Sequence, residues 1–289
     1  MFRTAHRRTL TQVADKRNIH ASAVESFGAE WAAFDQSSLT ETELRGLFDR
    51  YFAIFPWEAL PPNAEGFDMG CGTGRWARLV AGRVGRLHCI DPSSAIDVAK
   101  RNLAEVGNVT FERASLGDHS LALASQDFGY SLGVLHHVPD TSKAIRSCAA
   151  LLKPRAPLLI YLYYAFDNRP WWFRALWRCS EALRGGISKL PNRAKVRVTD
   201  FLALAIYWPL ARTSKLLEGL GAMVDDMPLS FYRNQSFYTM RTDCRDRFGT
   251  PLEQRFSKVE IEAMMRGAGL ANIRFSDAAP FWCAVGFKS

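Results

Sequence analysis

Five short apolar runs, separated by stretches of helical periodicity, organise the middle of this chain. Residues 66–69, 87–90, 109–112, 128–132 and 158–163 read as strands. Strands that alternate with helices predict an α/β fold, a doubly wound and mostly parallel sheet with ligands held at the carboxyl ends of its strands. The tail adds a helix over 258–268, then runs at 272–276 and 281–287 joined by a Pro-containing turn. Ahead of the first strand, Phe27, Trp31, Phe34, Leu44, Leu47, Phe48, Tyr51 and Phe52 recur at three- and four-residue steps, which predicts a helical cap. Residues 166–256 form a long insertion after the fifth strand that the alternation does not need.

The first strand runs into Asp68-Met69-Gly70-Cys71-Gly72-Thr73-Gly74-Arg75. Without Cβ atoms at Gly70, Gly72 and Gly74 the backbone can turn tightly and lay bare peptide groups against a ligand. Asp91 stands at the tip of the next strand, seventeen residues after Gly74, where a carboxylate can accept from both hydroxyls of a ribose. A dinucleotide fingerprint fits badly, because Arg75 occupies the place near which the third glycine belongs and would crowd a pyrophosphate. Asp68 also repels phosphate and suits a ligand carrying positive charge. S-adenosyl-L-methionine, with an ammonium, a sulfonium and no phosphate, meets both conditions.

These residues, with Asp91-Pro92-Ser93, the run from Asp127 to Asp140 that contains Gly133-Val134-Leu135-His136-His137, and Leu151-Leu152-Lys153-Pro154, resemble the class I S-adenosylmethionine-dependent methyltransferases. The resemblance covers roughly residues 66–164 well and the tail from 260 more loosely. It implies a seven-stranded Rossmann-like methyltransferase fold whose last strand is antiparallel. It also implies a cofactor site at Asp68, Gly70, Cys71, Gly72, Gly74, Asp91 and Pro92, with adenine near Ala114, Ser115 and Leu116 and the methionine portion beside Gly133. An acidic residue that many relatives place near the adenine is missing at Ala114-Ser115, and Lys153-Pro154-Arg155-Ala156 lacks the usual glycine turn.

The resulting organisation is an N-terminal arm and helical cap (1–60), a cofactor-binding core (61–165), a helical insertion or substrate lid (166–256) and a C-terminal helix with strands completing the sheet (257–289). His136 and His137 sit where a general base would stand, with His137 the better placed, although such a pair also shapes the loop. Tyr164, Tyr232, Arg233, Tyr238 and Arg241 are the candidates for acceptor recognition, Asp167 and Asp243 lie in the same stretches, and Phe27 and Trp31 are candidate lid contacts. Arg233 and Arg241 suit a carboxylate or phosphate, or else ion pairs with Asp243 or Asp246.

The formal net charge of +8 speaks to encounter with anionic partners rather than to chemistry. The six cysteines lack zinc-ligand spacing, so no metal is expected and a reduced, cytoplasmic protein is. Arg3, Arg7 and Arg8 precede no apolar stretch of signal-peptide length. In the insertion, Trp171, Trp172 and Trp177 are interleaved with Arg169, Arg174 and Arg178, a mixture that suits either a packed lid or a surface for a membrane or an anionic substrate. The expected activity is methyl transfer to an O, N or C atom of a small-molecule, envelope or secondary-metabolite precursor. An RNA methyltransferase, disfavoured by the lack of a base-amine signature after the fourth strand, and a non-catalytic cofactor-binding protein are the alternatives. The sequence leaves the oligomeric state open.

Overall fold

The computed structural model describes residues 18–33 and 40–289. Arg3, Arg7, Arg8 and Phe34 lie outside the described residues. Seven strands, β1 (Glu65–Met69), β2 (Arg86–Ile90), β3 (Val109–Glu112), β4 (Phe128–Leu132), β5 (Pro157–Tyr161), β6 (Leu270–Phe275) and β7 (Cys283–Lys288), form one sheet in the order β3-β2-β1-β4-β5-β7-β6. The first five are parallel, and β7 runs antiparallel to both its neighbours. The expected doubly wound, seven-stranded sheet is therefore present.

The centre of the sheet is locked by two glycines. Gly66 on β1 lies against the Phe128 ring and Gly129 on β4 against the Phe67 ring, so closely that a Cβ would stand 2.3 and 2.2 Å from ring carbons. Every residue of β4 is buried, as a strand covered on both faces requires.

Four helices flank the early strands: α1 (Ala21–Ala33), α2 (Glu41–Tyr51), α3 (Ala77–Ala81) and α4 (Ala95–Asn102). Asn18 anchors α1 by exchanging two hydrogen bonds with the Asp140 backbone. Gly28 allows α1 to approach Ser94 at the start of α4. Helix α5 (Thr141–Leu151) starts at an Asp140 cap that accepts from the Lys143 amide.

Three predicted boundaries are corrected. The fifth strand ends at Tyr161 and not at 163, because the chain leaves the sheet to bond the end of the insertion: the Phe256 amide donates to the Tyr163 carbonyl and the Ala165 amide to the Phe256 carbonyl. The last strand starts at Cys283 and not at 281, since Phe281 and Trp282 belong to the turn, where Trp282 Nε1 donates to Asp167. The sixth begins at Leu270, two residues early, with an irregularity between Ala271 and Arg274.

The insertion is helical throughout: α6 (Trp171–Ile187), α7 (Asn192–Leu202), a π turn (Ala203–Tyr207), α8 (Trp208–Gly219), a 3₁₀ turn (Ser230–Asn234) and α9 (Phe237–Gly249). Ala203, Tyr207 and Ala211 fall on one face and bury Met240, Cys244 and Phe248 of α9. Glu43 of α2 accepts from the Ser236 amide and the Thr239 hydroxyl, tying the start of α9 to the cap. Helix α10 (Lys258–Gly267) opens on a Ser257–Glu260 capping box and returns the chain to the sheet.

Candidate active site

A cavity of about 640 Å³ lies beyond the carboxyl ends of β1, β2, β4 and β5, enclosed by α1 and the insertion. Its two ends differ in chemistry. One is backbone and glycine, the other tyrosine, histidine and carboxylate.

At the first end the β1–α3 loop turns through Gly70, Gly72 and Gly74, whose φ angles are +81°, +54° and +78°. A Cβ at Gly70 would strike Val134, and one at Gly74 would strike Leu103 of the α4 C-cap, so both are needed for packing as well as conformation. Gly72 is different. A Cβ there would stand an ordinary 3.7 Å from the Trp31 indole nitrogen, so its positive φ alone calls for glycine. Asp91 braces this loop, its Oδ2 accepting from the Gly72 amide at 2.9 Å and its Oδ1 from the Ser93 amide and hydroxyl at 2.8 and 2.6 Å. Gly70, Cys71, Gly72, Asp91, Pro92, Gly133 and Trp31 all line the cavity.

Asp68 is not on the wall. It is 1% exposed, its Oδ2 has no hydrogen-bond partner, and the Tyr130 hydroxyl beside it closes no bond of good geometry. Burial first, with the Asp91 charge adding, raises its pKa to about 8 against the opposing pull of the Tyr130 hydroxyl and of Arg75. Asp91 and the bare backbone at Gly70 and Gly72 fit the sugar and backbone contacts of S-adenosylmethionine, whereas Asp68, expected to meet its ammonium, is sealed behind the wall. Gly74, Ser115 and Leu116 also lie off the wall. The Ser115 hydroxyl donates to Asp118 at 2.6 Å, and Asp118 does not line the cavity either.

At the second end the two histidines separate. His136 is fully buried, stacks on Tyr163 at 3.9 Å and lacks partners at both ring nitrogens. Desolvation, with His137 and Arg255 adding, holds it well below the usual histidine pKa, so it is a neutral core group and not a cavity base. His137 lines the cavity. Its Nδ1 lies 2.7 Å from the Leu252 carbonyl, an acceptor only, which places the proton on Nδ1 and the lone pair on Nε2. Nε2 has no hydrogen bond and faces Asp246 Oδ1 at 3.8 Å, while the Phe27 ring meets the imidazole edge at 4.8 Å.

Around His137 stand residues from three elements. Tyr163 donates to Asp246. Asp243, beside Tyr232, has its pKa pushed up to about 6, mainly by burial. Tyr51, Tyr161, Tyr164, Tyr207 and Arg75 complete this end, with the Arg75 guanidinium stacked 4.2 Å from the Trp76 ring centroid. Of the residues expected to recognise the acceptor, Tyr164 and Tyr232 line the cavity and three do not. Arg233 is held by Glu218 and Asp225, and Arg241 by a two-pronged pair with Asp200, so both are ion-paired but with acids other than the expected Asp243 or Asp246. Tyr238 also lies off the wall, and Asp167 is spent on Trp282 and the Lys258 amide. Tyr51, Tyr207, Asp246 and Arg75 went unassigned. Only Arg75, next to the glycine loop, carried a local signal. Among the described residues no cluster of His, Cys, Asp and Glu suits a metal ion.

A family model described as a methyltransferase domain matches residues 67–160. The ubiquinone biosynthesis O-methyltransferase of Methylocella silvestris is 32% identical over 119 residues, 38% of this chain and 46% of that protein. Its namesake from Xanthomonas axonopodis pv. citri is 28% identical over 150 residues, 51% of this chain and 63% of that one. Each match spans less than two thirds of the relative. An O-methyltransferase family protein from Burkholderia thailandensis superposes with a TM-score of 0.55 at 15% identity, over 92% of this chain and 64% of that one, and so shares the fold. Over residues 67–160, therefore, the chain is similar to methyltransferase domains, in keeping with the fold and the glycine loop.

Proposed function

We propose that the protein methylates a hydroxyl oxygen on a small molecule with an apolar body, using S-adenosylmethionine and His137 as the base. The observation that carries this reading is the His137 geometry. With Nδ1–H donated to Leu252, Nε2 of this cavity-lining residue keeps its lone pair, without a hydrogen-bond partner and 3.8 Å from Asp246 Oδ1. Bound at the glycine loop, S-adenosylmethionine supplies an electrophilic methyl carbon. A neutral hydroxyl becomes a competent nucleophile as it loses its proton, and His137 Nε2 takes that proton. Asp246, 3.8 Å from Nε2, stabilises the imidazolium that results. Tyr163, Tyr164 and Tyr232 orient the acceptor, and alignment of oxygen and methyl carbon accounts for most of the rate.

The far wall of the cavity supports an apolar acceptor body. Phe166, Phe173, Leu176, Ile206, Leu210 and Leu229 line it. Residues 166–256 act in this reading as the acceptor-binding unit. Arg233 and Arg241, off the cavity wall and paired with carboxylates, offer no site for an acceptor anion. The free state of all six cysteines supports a reducing, cytoplasmic setting.

Calorimetric titration with S-adenosylmethionine, S-adenosylhomocysteine and NADH tests the cofactor, with binding of the first two and none of the third expected. His137→Gln should then keep cofactor affinity while lowering turnover about 100-fold or more with a phenolic acceptor found by screening. Unchanged turnover would remove His137 from the chemistry.

A further inference from the structure

We infer that the outer face of the insertion docks on an anionic lipid bilayer, and that a lipophilic acceptor passes from the bilayer into the cavity between α6 and α8. Docking itself is independent of the methyl-transfer reading, whereas the acceptor's route rests on it.

Large apolar side chains that remain exposed are concentrated in one region. Among the described residues, all but Leu123 and Val259 fall between residues 171 and 223. They are ordered along helices. Phe201, Leu204 and Trp208, 67%, 59% and 44% exposed, follow at steps of three and four across the α7–α8 junction, while Trp172, Leu176 and Leu183 form a stripe on α6. An exposed apolar face of this extent marks an interaction surface.

The surface is also continuous with the cavity. Leu176 and Leu183 on α6 and Ile206 and Leu210 on the facing helix are exposed and yet line the cavity, forming an apolar rim. A molecule leaving a bilayer against this face would not need to cross water to reach His137.

Charge selects the partner. Between residues 169 and 215 there are ten Lys and Arg against two acids, Glu181 and Asp200. Arg174, Arg178, Lys189, Arg193, Arg197 and Lys215 are exposed beside the apolar stripes. Basic residues flanking apolar and tryptophan side chains suit lipid headgroups above an acyl layer, whereas a second copy would bring two like-charged faces together. No helix among the described residues is long and apolar enough to cross a membrane, so the face would lie on the bilayer surface.

Flotation of the full chain with vesicles tests this. The protein should float with phosphatidylcholine–phosphatidylglycerol vesicles, and at least about tenfold less with phosphatidylcholine alone, given the pull of anionic headgroups on several basic side chains. Combining Phe201→Ser, Leu204→Ser and Trp208→Ser, none of which lines the cavity, should lower flotation about tenfold while leaving calorimetric affinity for S-adenosylmethionine unchanged. Absence of flotation, or equal flotation of the triple variant, overturns the proposal. So does a dimer that the triple variant dissolves while neither protein binds vesicles. A wild-type protein that floats but ignores S-adenosylmethionine refutes the methyl-transfer reading and leaves docking intact.

Discussion

Asp68 illustrates how one buried atom sets a measurable property of the whole protein. Its pKa of about 8 in the fold, against 3.8 for an ordinary aspartate, means that the folded chain holds a proton there which the unfolded chain has released. Stability from this group is fully present below pH 4 and is lost as pH rises through 8. Between pH 6 and 8 the loss should be about 2 kcal/mol, measured by urea denaturation without cofactor, and Asp68→Asn should flatten the profile. Asp243, with its pKa of about 6, acts in the same sense but mostly at lower pH. The positions of Asp68, Asp91 and His137 could be marked in the sequence because Asp68 lies one residue before the end of β1 and the other two follow the ends of β2 and β4. The difference between His136 and His137 was not. It depends on a Tyr163 ring on one side and a Leu252 carbonyl on the other, the latter 115 residues distant in the chain.

Among the elements, the strands were readable because apolar runs alternate with helical periods, and the errors came where tertiary bonds override that pattern. Residues 162 and 163 have strand-like composition, yet the bonds between 163–165 and Phe256 pull the chain off the sheet. The glycines inside strands were silent in the sequence. Gly129 has no turn to make, and its role appears only once the Phe67 ring is seen in the space a Cβ would fill. Gly129→Ala should therefore cost about 1–3 kcal/mol by overpacking, read as a lower denaturation midpoint. The glycine turn is a further case, since Gly70 and Gly74 serve the seating of Val134 and Leu103 as much as any ligand.

On the scale of the molecule, the insertion is clamped to the sheet by one buried acid. Glu253 has a side chain 1% exposed and pairs with Arg247 of α9 at 2.9 Å and with Arg255 at 2.8 Å. Arg247 also reaches Glu181 of α6, and Arg255 the Tyr164 carbonyl at the exit of β5. Glu253→Gln leaves two buried guanidiniums short of a counter-charge. The cost should fall near the lower end of ~3–5 kcal/mol, because Glu181 still serves Arg247. Limited proteolysis should then cut the insertion before the sheet, while the wild-type chain is cut in no such order. The segment's length and place were apparent from its surplus over the α/β alternation. This clamp was not, since its members come from four separate stretches of chain.

Helix α1 carries Trp31 above Gly72 and Phe27 against His137, two turns of the same rigid rod. Any displacement of α1 that uncovers the glycine loop also withdraws the Phe27 ring from the imidazole, so the packing at the two ends of the cavity is coupled through one helix.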